Sequence, residues 1–63
     1  MEIGDLIQVD PSIFAFKHQI GIVVNTRTWE DEPVVDVLMT SGRFRLDVIG
    51  FKEKNTVLLS AND

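Results

Sequence analysis

Eleven consecutive residues, Gln19-Ile20-Gly21-Ile22-Val23-Val24-Asn25-Thr26-Arg27-Thr28-Trp29, form the longest β-type run in the chain. β-Branched residues dominate it, and such side chains pack well on a pleated surface. Every other segment can be read as a partner for this strand. The whole chain has only 63 residues and no cysteine, so packing must hold the fold without disulfides or thiolate metal sites. A chain of this size buries only about 60% of its unfolded surface, and spare apolar surface is a resource it can hardly waste.

The order of segments is that of an all-β domain. Gly4-Asp5-Leu6-Ile7-Gln8-Val9-Asp10 predicts a short strand with Ile7 and Val9 on one face, ended at Asp10-Pro11, where proline removes a ladder donor. Residues 10–19 read as the one longer loop, with a turn of helix at Pro11–Phe14. Ile13, Phe14 and Phe16 make that loop more apolar than a solvated one, so it is either a lid over the core or a contact surface. The central strand starts apolar on both faces, as a doubly buried strand does, and Gly21 marks a bulge or a close backbone approach. Glu30–Pro33 supplies a turn, and Val34–Met39 returns with Val35, Val37 and Met39 inward and Val34, Asp36 and Leu38 outward.

Thr40-Ser41-Gly42 predicts a tight hairpin with Gly42 at positive φ. Arg43–Val48 then alternates as an amphipathic strand with Phe44, Leu46 and Val48 inside. Ile49-Gly50-Phe51 bends or breaks it, Glu53-Lys54-Asn55 is a turn, and Thr56–Ser60 closes the domain. With Ile22 and Val57 also assigned inward, Leu38, Phe51, Leu58 and Ile49 are left on outward or edge positions. The surplus predicts an interface, because contiguous exposed apolar patches mark contact sites.

Gly4-Asp5-Leu6-Ile7-Gln8-Val9 followed by Ile20-Gly21-Ile22-Val23 resembles the opening of KOW and related small barrels of ribosomal proteins and transcription elongation factors. Val35-Asp36-Val37-Leu38-Met39-Thr40-Ser41-Gly42-Arg43 is similar to a hairpin common in small barrel proteins of tailed phages. The resemblance implies a single five-stranded SH3-like small barrel over residues 1–63, with one longer loop and tight hairpins. Two departures bear on function. Where RNA-binding KOW proteins carry glycine and basic residues, this chain has Asp10, Pro11, Lys17 and His18, and it lacks the aromatic-rich groove of peptide-binding SH3 domains.

Charge and chemistry narrow the functional classes. Residues 1–39 carry seven acids against two bases, and residues 40–63 three acids against four bases. The basic excess that drives general nucleic-acid binding is missing. Arg43, Arg45, Lys52 and Lys54 are the residues a KOW-like nucleic-acid surface would use. Glu30, Asp31, Glu32 and Asp36 could instead make the chain an acidic inhibitor or decoy of a basic host protein, whereas their spacing does not match a calcium loop. A lone histidine argues against zinc, and no nucleophile is paired with a base. The expectation is a non-enzymatic module without metal, cofactor or small-molecule substrate, working through protein contacts and with itself as partner in a homo-oligomer. Leu38, Phe51 and Leu58 are the expected contacts, joined by Phe14 and Phe16 if the loop is a contact surface. No membrane segment is legible, and the chain reads as a complete cytoplasmic product, in the host cytoplasm if phage-encoded.

Overall fold

The computed structural model describes residues 1–10 and 18–61. They form one all-antiparallel sheet of five strands: β1 (Leu6–Val9), β2 (Ile20–Trp29), β3 (Glu32–Met39), β4 (Val48–Lys52) and β5 (Thr56–Ser60), with a single 3-10 turn at Glu53–Asn55 between the last two. The order across the sheet is β4-β3-β2-β1-β5. Chain neighbours pair as hairpins along β1 to β4, and β5 returns beside β1. The sheet is not closed into a barrel, so β4 and β5 are its edges. The readings made for Pro11–Lys17, including the helical turn, the lid and the contacts at Phe14 and Phe16, lie outside the described residues.

The long second strand pairs with β1 through its first half and with β3 along nearly its whole length. Its register slips once, between Val23 and Asn25. This extra residue inverts the alternation. Before it, Gly21 and Val23 face inward; after it, Thr26 sits opposite the buried Val35, while Asn25, Arg27 and Trp29 lie on the outer face. The bulge is therefore at Val24, and Gly21 serves the other expected purpose. A Cβ on Gly21 would stand 2.4 Å from Val37 Cγ1 and 2.6 Å from the Leu38 carbonyl oxygen, so β3 can lie this close only against glycine.

Gly21 on the inner face also corrects the strand's assignment. Ile22 points outward and is exposed, and Val24 is exposed with it, so the first half of β2 is buried on one side and not on both. The core is built from Ile7 and Val9 of β1, Val23 of β2, Val35, Val37 and Met39 of β3, and Phe51 of β4, with Met1, Phe44 and Ile49 packed against it. The inward readings of Ile7, Val9, Val35, Val37 and Met39 agree with this, as does the outward one of Asp36. Val34 lies on the outer face yet is buried, because its register partners Arg27 and Lys52 lay long side chains beside it.

The largest correction falls on Arg43–Val48. Residues 43–46 are turn rather than strand, and β4 starts only at Val48. The Arg45 N–H donates to the Gly42 carbonyl and the Asp47 N–H to the Phe44 carbonyl, which removes the donors a ladder would use. Leu46 sits at φ 73° and is 72% exposed, and Val48 is 59% exposed, so neither is a core residue. Phe44 remains partly buried against the core. Gly42 takes the expected positive φ, at 78°, but inside a longer loop closed by Met39 and its bonds to Asp47 and Leu46. Phe51, expected outward, is 8% exposed and in the core, while Val57, expected inward, is about half exposed.

Candidate protein-contact surface

Directly opposed residues of antiparallel strands share a face, and the register therefore assembles the outer surface row by row. Val48, Leu38, Ile22 and Leu6 stand opposite one another across β4, β3, β2 and β1. They form one apolar row across the sheet. Leu38 and Leu6 are half-buried within it, and Ile22 and Val48 are open.

The next rows are polar and self-satisfied. Asp36 accepts from Arg27 Nε at 3.2 Å, pairs with Arg27 Nη2 at 3.1 Å and accepts from Asn25 Nδ2 at 3.1 Å. Gly50, the register partner of Asp36, leaves room for this group, since a Cβ there would meet Arg27 Nη2 at 2.7 Å. The Arg27 guanidinium first, and the Asn25 carboxamide after it, hold the Asp36 carboxyl below the ordinary aspartate value near 3.8. Glu32 lies between Lys52 at 2.7 Å and Lys54 at 3.2 Å. Lys52, followed by Lys54, lowers its pKa in the same way.

Beside these pairs an open groove of about 310 Å³ is lined by Arg27, Trp29, Val34, Gly50, Phe51 and Lys52. Trp29 is 58% exposed at its edge. Both groove cations are already turned to carboxylates, Arg27 to Asp36 and Lys52 to Glu32.

The two charged sets singled out in the sequence are each divided. Arg43 and Arg45 lie in the loop before β4, with the Arg43 guanidinium 5.9 Å from the Phe44 ring centroid. Lys52 ends β4, which at about 3.4 Å per residue is roughly 14 Å long, and Lys54 lies just beyond it in the 3-10 turn. Of the acids, Glu30 and Asp31 are exposed at the β2–β3 hairpin tip, while Glu32 and Asp36 are engaged in the pairs just described. Among the described residues, no three of His, Cys, Asp and Glu group as metal ligands, and no helix is long and apolar enough to cross a membrane.

The expected contacts separate just as clearly. Leu38 is in the outer row, Phe51 is core, and Leu58 is about half exposed on β5 between Val57 and Leu59, which are equally open. These three apolar neighbours occupy an edge strand that carries no charged residue. Sequence reasoning missed Ile22, Val48, Val57 and Leu59 as surface residues, because alternation says which side chains share a face but not which face is inward. Comparison of the chain with protein-family models, with curated proteins and with solved structures gives no match.

Proposed function

We propose that the chain is a small non-enzymatic interaction module with the layout of an SH3-like barrel, acting through self-association. The layout is supported by five short antiparallel strands, a long second strand bent by a bulge and shared between β1 and β3, and the return of β5 to β1. Self-association is supported chiefly by one observation. Of nine exposed large apolar side chains among the described residues, Ile22 and Val48 belong to the outer row and Val57, Leu58 and Leu59 are consecutive on β5, while Ile3, Val24, Trp29 and Leu46 stand elsewhere. Scattered exposed leucines and valines need no explanation, but contiguous ones on a domain this small favour burial against a symmetric partner.

Solution mass tests the reading. Sedimentation equilibrium between about 10 µM and 1 mM is expected to show the average mass rising above that of the 7.1 kDa chain, in the range where small interfaces associate. A constant 7.1 kDa species over that range would remove self-association as the function.

A further inference from the structure

Resting on the self-association reading, we infer that the open edge of β5 is a pairing surface for a second copy of this chain, joined antiparallel about a two-fold axis at Leu58. The hydrogen-bonding pattern around β1 establishes which backbone groups that edge presents. Val9 N–H donates to the Gln19 carbonyl and Val23 N–H donates to the Asp5 carbonyl, so the odd residues of β1 point to β2. Asp10 N–H donates to the Asn55 carbonyl at 2.8 Å, so the even ones point to β5. Ile7 is odd, and Leu58 is its register partner. By the alternation of an antiparallel ladder, Leu58 then directs its own N–H and C=O away from β1. Among the described residues no strand lies on that side. Thr56, the preceding residue of the same parity, already donates its N–H to the Glu53 carbonyl, which leaves Leu58 as the centre of the edge.

The occupant follows from the strand's own sequence. An antiparallel two-fold at Leu58 places Val57 opposite Leu59 and Leu58 opposite itself; at Leu59 the register of β5 against β1 shifts, which sets Ser60 beside Leu6 and on the other face from Thr56, the partner of Val9. Aliphatic meets aliphatic. No charge lies between Lys54 and Asp63, so like charges are not brought into register despite the formal net charge of −4. Proteins commonly guard such edges with lysine, proline or a covering element, and this strand has neither lysine nor proline. Each Leu58 N–H would donate to the other copy's Leu58 carbonyl, while the Val57 and Leu59 side chains cover each other. A stable interface takes about 800 Å² from each partner, a large share of the 4167 Å² surface of this chain. Five edge residues supply less, so the dimer is weak and concentration-dependent.

Two measurements on the full chain decide. In hydrogen exchange followed by NMR, the Leu58 amide should exchange rapidly in dilute solution and become protected as concentration rises, in step with the sedimentation mass. Leu58→Pro deletes both outward donors without touching the β1 ladder and should weaken association about thirtyfold, as loss of two ordinary hydrogen bonds does. Leu46→Glu, in the exposed turn before β4 and outside both apolar surfaces, should associate like the parent. If Leu58→Pro does not fold, Val57→Lys, which sets a charge beside the axis, takes its place with the same expected loss. Association that survives Leu58→Pro or Val57→Lys and disappears in Leu38→Glu would overturn the β5 edge while leaving self-association standing. A parent that stays monomeric throughout would overturn both.

Discussion

Gly21 carries more of the fold than its size implies, because it stands where the inner face of β2 meets the backbone of β3. An added methyl would fall 2.4 Å from Val37 Cγ1 and 2.6 Å from a main-chain oxygen, and a ladder oxygen cannot rotate aside. Gly21→Ala should therefore lower stability by about 1–3 kcal/mol, the ordinary cost of overpacking, read as a shift of the urea midpoint at unchanged slope. Leu46 presents the opposite case. It holds φ 73° with its side chain mostly in solvent, a conformation that costs a leucine about 1–2 kcal/mol and an asparagine less. Leu46→Asn should raise the unfolding free energy by about 0.5–1 kcal/mol, read as a higher urea midpoint; a lower midpoint would mean that the leucine packs against something. The same two residues mark the limits of legibility. Gly21 interrupts a run of β-branched residues, so its close approach could be read from the sequence, whereas Leu46 fitted a strand's alternation and nothing in its chemistry announces a left-handed backbone.

Strands were legible at the scale of elements wherever turn chemistry bounded them. β1, β3 and β5 were read to within a residue or two, and the Glu53–Asn55 turn was read as a turn. The parity of β2 was not legible, because a bulge at Val24 exchanges the faces partway along a strand that is apolar on both sides at its start. That exchange moves Asn25 and Arg27 to the outer face beside Asp36, and the resulting cluster gives the β2–β3 pair a pH dependence. The folded Asp36 carboxyl lies below its ordinary value near 3.8, by interaction with Arg27 and then Asn25; the unfolded state consequently binds more protons than the folded one as pH falls through that region. The group's contribution is complete above the ordinary value and is lost as pH drops below it toward the folded pKa. Glu32, lowered by Lys52 and Lys54 from an ordinary value near 4.5, acts with the same sign. Asp36→Asn should melt a few degrees below the parent at neutral pH and approach it as pH falls below the ordinary aspartate value, where the parent's carboxylate also becomes protonated. Parallel pH profiles for the two proteins would show that the cluster contributes nothing to folding.

For the molecule as a whole, the exposed apolar set and the small core are two sides of one constraint. Among the described residues seven buried side chains form the core cluster, and a domain of this length rarely gains more than about 3–5 kcal/mol from a single core. Phe51, read from the sequence as surface, is needed inside, while Ile22, Leu46, Val48 and Val57, read as inside, stand exposed. Anything that binds the folded chain and not the unfolded one adds to stability by mass action. For a dimer with a dissociation constant of about 100 µM, raising the concentration from about 10 µM to 1 mM should stabilise each chain by about 1 kcal/mol. On a domain of this size that corresponds to a rise in melting temperature of about 4–8 °C. Leu58→Pro should melt at a temperature nearly independent of concentration over the same range, because it stays largely monomeric throughout. Melts monitored by far-UV circular dichroism at a series of concentrations separate the two cases. A parent whose melting temperature is as flat as the variant's would mean that the monomer alone provides all the stability there is, and that the open β5 edge is tolerated by this fold and not used.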